Sequence, residues 1–140
     1  AAVTESGAVV TWGDPRRGGD SASVQDQLLG DVVSVRSNNE AFAALKRGGA
    51  VVTWGNPLRG ADSTQVASQL EGGVQRIFCN SSAFAALKAG GALVTWGAGR
   101  CGGDSSAVAG QLARGVEAVF ATGGAFAALV DVHQLPRRRR

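Results

Sequence analysis

The stretch Gly49-Ala50-Val51-Val52-Thr53-Trp54-Gly55 decides the fold, because the chain contains it three times. Residues 7–13 are identical to it, and residues 91–97 differ only in carrying Leu93. Its β-branched and aromatic residues, closed off by glycine at each end, predict a strand. Its near-continuous apolarity predicts burial on both faces. Outward from this stretch the same beat continues. Trp12, Trp54 and Trp96 stand 42 residues apart, as do Asp20, Asp62 and Asp104, Gln27, Gln69 and Gln111, Phe42, Phe84 and Phe126, and Leu45, Leu87 and Leu129. Residues 7–48 and 49–90 agree at 25 of 42 positions without a gap. A fixed period of this length marks a solenoid, propeller or array.

The period divides the chain into repeat 1 (7–48), repeat 2 (49–90) and repeat 3 (91–132), with 1–6 matching the end of a preceding repeat and 133–140 forming a basic tail read as disordered. Within a repeat, Ala41 to Lys46 and Ala83 to Lys88 run into a glycine turn and then the Trp strand. Alanine would permit a short helix there, but six residues leading at once into a strand fit a hairpin better, with glycine supplying the positive φ of the turn. A third strand is predicted at Val74–Phe78, with counterparts at 32–36 and 116–120: apolar at its ends and mostly polar in the middle. Between Trp54 and Val74 lie a loop (56–61) and a capped helix of two turns, from Asp62 or Ser63 through Val66 and Leu70 to the Gly72-Gly73 stop. The expectation is all-β with short helical turns: three blades of an incomplete β-propeller-like array. The chain lacks methionine and opens mid-unit, which predicts a piece of a longer array.

Composition excludes several classes. Hydrophobic content of 44% is too high for a disordered chain, and no apolar run reaches the roughly 18 residues of a membrane span. The pI near 9.5 arises from the last four residues. Residues 1–136 carry 10 basic and 11 acidic side chains, a net charge of −1, and Arg137 to Arg140 supply the rest. Cys79 and Cys101 fall at different repeat phases, whereas a structural disulfide would recur with the period. They read as free thiols, and so as a sign of a reducing, intracellular compartment.

The segments carrying the Trp-Gly strand, each preceded by Ala-Leu and a glycine turn, resemble the repeats of the regulator of chromosome condensation family, and Asn56 matches an asparagine common after the tryptophan. The resemblance spans about residues 1–132 and implies a β-propeller, usually of about seven blades. It departs from the family in its shorter unit. Gly18-Gly19-Asp20-Ser21 and Gly102-Gly103-Asp104-Ser105 stand where the family has Gly-Gln-Leu-Gly, and Glu40-Ala41-Phe42 and its equivalents where it has a histidine. The roles it implies are protein scaffolding or, within a larger propeller, guanine nucleotide exchange on a small GTPase. Chromatin binding and light sensing also occur in the family, but the tryptophan motif of its ultraviolet receptor is absent here.

No catalytic, cofactor-binding or metal-binding residue is assigned. The tryptophans and phenylalanines read as buried packing, and the three aspartates, each followed by serine, as helix caps. Gly18-Gly19-Asp20 lacks the lysine of a phosphate loop. His133 is the single histidine and lies outside the repeat, too few ligands for a metal site. The loops 14–19, 56–61 and 98–103 vary most while the strands stay fixed, so Arg16, Arg17, Leu58, Arg59 and Arg100 are the candidate contacts for a protein partner. The arginine tail would contribute at most weak, salt-sensitive nucleic-acid contact. Open strand edges predict self-association.

Overall fold

The computed structural model describes residues 1–131 and 133; the predicted tail, His133 apart, lies outside them. Among the described residues ten strands form four small antiparallel sheets: β1 (Ala2–Val3) with β2 (Val9–Val10); β3 (Val32–Ser37), β4 (Ala41–Lys46) and β5 (Val51–Gly55); β6 (Val74–Cys79), β7 (Ala83–Lys88) and β8 (Leu93–Gly97); and β9 (Val116–Thr122) with β10 (Ala125–Val130). The fold is all-β, built of blade-like repeated sheets. Each complete sheet straddles a repeat boundary. Its first two strands come from one 42-residue unit and its third, the Trp strand, from the next, with Phe42 paired to Trp54 and Phe84 to Trp96.

The central strands β4 and β7 explain the alanine-rich run. Ala43, Ala44, Ala83, Ala85 and Ala86 are fully buried because a sheet packs on each face of the strand. In β4, Ala41, Ala43 and Leu45 join Leu70, Val74, Ile77 and Phe84 of the following unit. Ala44 faces the other way with Val52 and Trp54, against Val9, Leu28 and Val32. Small side chains allow that close approach, and the alternation is the period of two of a strand. β8 is buried from Leu93 to Trp96, whereas β5 alternates between buried and half-buried.

The strands β3, β6 and β9 each carry a bulge. Val33, Gln75 and Glu117 lack a cross-strand partner, because the register shifts across them. All three are exposed, which is why the polar middle of these strands does not simply alternate.

The predicted helical turns are present as 3₁₀ helices, Ala22–Leu28, Thr64–Leu70 and the shorter Ser106–Val108. Seven residues with a single buried anchor, Leu28 or Leu70, give little return on α-helix nucleation. The cap also differs from expectation. Ser21, Ser63 and Ser105 occupy the N-cap without a side-chain cap bond. One residue earlier, Asp20, Asp62 and Asp104 accept the N–H groups of Ala22, Thr64 and Ser106 at 2.9–3.1 Å. That is an Asx turn feeding the helix.

The left-handed stop falls at Gly73 and Gly115, both at φ +76°, but repeat 1 has Asp31 there at φ +64°. A side chain in this region is strained where glycine is not. Asp31→Gly is expected to stabilise the chain by about 0.5–1 kcal/mol, read as a higher urea midpoint.

Trp12 corrects the sequence reading. Trp54 and Trp96 are buried at 2% and 4% exposure, but Trp12 is 65% exposed. Burial of Trp54 requires Phe42, 12 residues earlier, and Gly18, 36 earlier. Among the described residues no phenylalanine or glycine stands in these places for Trp12. At the other end of the described residues, β10 alternates exposed and half-buried, and Phe120 and Leu129 are 62% and 56% exposed.

Candidate functional site

Three loops follow the Trp strand positions, and each is built on the same local chemistry. A short 3₁₀ helix, Pro15–Arg17, Pro57–Arg59 or Gly99–Cys101, ends at a left-handed glycine, Gly18, Gly60 or Gly102. Asp14 and Asn56 start the first two by accepting the N–H of Arg16 and Leu58 at 2.9 and 3.0 Å. Proline at the first helical position suits the fixed φ and needs no N–H partner. Ala98 starts the third without such a bond.

The closing glycine is also the seat of the aromatic pair. The Phe42, Phe84 and Phe126 rings lie against Gly18, Gly60 and Gly102, where an added Cβ would stand 2.5–2.6 Å from a ring carbon. Trp54 stacks on Phe42 at 5.2 Å between centroids and donates its indole N–H to the Gly18 carbonyl at 3.1 Å. Trp96 repeats this on Phe84 at 5.5 Å and on the Gly60 carbonyl at 3.0 Å. Each indole therefore ties its own strand to the loop of the preceding repeat.

A second tie was not legible as a site. Thr11, Thr53 and Thr95 each bond a loop carbonyl, of Gly19, Ala61 and Gly103, and the hydroxyl of Ser21, Ser63 or Ser105 at 2.8–2.9 Å. A polar residue inside an apolar strand, recurring with the period together with a serine, was the available signal. Asn38 and Asn80 add a third tie. Each holds its own β-turn through Oδ1 and donates from Nδ2 to the next loop, at Arg59 O and Cys101 O.

The candidate contact residues separate into two sets. Arg59 is half-buried, with Nε 3.0 Å from Glu40 and a guanidinium N–H bonded to Ser82 at 2.8 Å. Arg17 lies 3.8 Å from the same Glu40 carboxylate and 3.7 Å from Asp14, so Glu40 sits between the first two loops. Arg16, Leu58 and Arg100 point outward. The Arg16 side chain is 91% exposed and 3.8 Å from Asp14, Leu58 is 78% exposed, and Arg100 is exposed. Such exposed ion pairs contribute about 0–1 kcal/mol each, which leaves Arg16 available to a partner.

Asp62 and Asp104 are held below the ordinary carboxylate range, first by the hydroxyls of Thr64 and Ser106 and then by their N–H groups. A carboxylate whose pKa is depressed by folding stabilises the fold above its unfolded pKa, and that contribution is lost as pH falls through the folded value. The urea midpoint should therefore drop on acidification through this range, and the double change Asp62→Ala, Asp104→Ala should flatten that part of the curve.

Cys79 and Cys101 are free thiols. Burial pushes the Cys79 thiol up, a nearby Arg36 opposing it, and the thiol donates to Ser37 O at 3.2 Å. Among the described residues no group of three His, Cys, Asp or Glu could hold a metal, and no helix is long and apolar enough to cross a membrane. No protein-family model matches the chain, and no curated protein matches it.

Proposed function

We propose that the chain is a non-catalytic protein-interaction module, a divergent relative of the chromosome condensation regulator repeats, that offers its partner the row Arg16, Leu58 and Arg100. One observation carries this reading: the three loops share one backbone, a short 3₁₀ helix closed by a left-handed glycine, while the outward side chain, arginine in two repeats and leucine in the one between, stays exposed. A fixed scaffold presenting variable side chains is the arrangement of a recognition surface. A cation, an apolar side chain and a second cation on successive loops suit an acidic partner segment with an apolar residue between its carboxylates. Arg59 ties the second loop to Glu40 and Ser82, which lowers the cost of ordering it on binding.

The test compares affinity capture by the wild-type chain and by the triple variant Arg16→Ala, Leu58→Ala, Arg100→Ala. All three positions are exposed, so both proteins should melt alike. The expected result is a discrete set of proteins retained by the wild type and lost from the variant. Equal retention by both would refute this surface as the contact.

A further inference from the structure

Each internal joint has two halves. One half is the Trp strand of a repeat, held on its own loop by the Thr–Ser tie. The other is the phenylalanine and left-handed glycine of the preceding repeat, together with the exposed edge of its central strand. Joined, they appear twice: β5 on β4 with Trp54, Phe42 and Gly18, and β8 on β7 with Trp96, Phe84 and Gly60.

Among the described residues, both halves also occur once alone. At the beginning, Thr11 already bonds Gly19 O and Ser21 Oγ, as Thr53 and Thr95 do in their loops. The strand 7–13 is identical in sequence to 49–55, yet among the described residues β2 pairs only with the two-residue β1, and Trp12 and Val10 are 65% and 53% exposed. At the far end, Gly102 is left-handed at φ +99°, with Phe126 seated against it as in the finished joints. Among the described residues β10 pairs only with β9. Beside it opens a groove of about 310 Å³, lined by Leu93, Val108, Leu112, Phe126, Ala128 and Val130.

We infer that the chain assembles head to tail with second copies of itself, strand 7–13 of one copy completing the β9–β10 sheet of the next. In the register of the internal joints, Phe126 pairs with Trp12 of the incoming copy and Ala128 with Val10, and the Trp12 indole donates to Gly102 O. The chain's own residues 134–139 are the poorer occupant by sequence. Pro136 stands at the phase of Val52 and Val94, where it would remove a ladder N–H, and Arg138 stands at the phase of the tryptophan. One tie of the internal joints is missing, because Thr122 replaces Asn38 and Asn80. The contact is therefore weaker than those within the chain. A head-to-tail interface of this kind is heterologous, forming rings or open filaments according to its rotation. The inference stands independently of the partner surface on the loops.

Sedimentation of the purified full chain over a range of concentrations tests it. Trp12→Ala removes the head. Ala128→Pro removes the tail, because alternation from Lys46, whose N–H bonds Ala50 O, places the N–H of Ala44, and by repeat of Ala128, on the edge that accepts the incoming strand. The expected result is association of the wild type, weakened about 30-fold or more in each variant, as for loss of a central aromatic contact. An equimolar mixture of the two variants should recover a two-copy species and nothing larger, since each supplies the half the other lacks. A wild type that stays monomeric, a mixture that stays monomeric, or a Trp12→Ala chain that associates like the wild type would overturn the inference. So would association that emerges only after removal of residues 133–140, which would make the chain's own end the occupant.

Discussion

Trp96→Ala is expected to lower the unfolding free energy of the dilute chain by about 3–5 kcal/mol, whereas Trp12→Ala should change it by no more than about 0.5 kcal/mol. The two residues hold the same place in the repeat, so the contrast isolates their surroundings. At Trp96 the change opens a cavity in the cluster of Phe84, Ala86 and Val94, ends a ring stack, and leaves the Gly60 carbonyl without its donor. The stack alone is worth about 0.5–1.5 kcal/mol, and an unsatisfied buried carbonyl costs about 1–3 kcal/mol. At Trp12 there is neither cavity nor stack. Urea unfolding below the concentration at which copies associate measures both. Equal losses at the two positions would contradict the exposure of Trp12.

Gly60→Val is expected to be as damaging from the opposite direction, costing about 3 kcal/mol or more. Two effects combine. The backbone at φ +109° strains any side chain, and the new Cβ would meet the Phe84 ring at 2.5 Å, with no room for that ring to yield at zero exposure. Gly48→Ala separates the two, because Gly48 has a similar φ of +93° but nothing within 4 Å of the added carbon. It should cost only the strain, about 1–2 kcal/mol. If Gly48→Ala and Gly60→Val proved equally harmful, the ring contact would carry no weight in the joint.

Much of this fold was legible because its periodic signals and its local signals coincide. The Val-Thr-Trp run, the alanine strand and the turn glycines recur together, and they specify antiparallel sheets with short helical turns. What the sequence hid is relational. Trp12 carries the same neighbours in sequence as Trp54, but its burial depends on residues of a preceding repeat, and no local pattern records whether those are present. The helical segment offered caps and an i, i+4 apolar pair, yet its length and lone anchor favour the 3₁₀ form. Asp62 reads as a helix cap, whereas in the fold it accepts the Thr64 N–H from one residue ahead of the cap position. The glycine at 60 reads as a loop breaker until the Phe84 ring is placed against it. Among the loop arginines, exposure of Arg16 and anchoring of Arg59 cannot be distinguished by residue type, because Glu40 and Ser82 approach through the fold.

The central claim is that repeats are joined by an indole of one repeat bonded to the loop glycine of the one before. Hydrogen exchange at the three indole N–H groups tests it most directly, followed by NMR in the Ala128→Pro chain so that copies stay apart. Two indole signals, from Trp54 and Trp96, should be strongly protected, and that of Trp12 should exchange as a free indole does. Three equally protected signals, or three equally labile ones, would contradict the account.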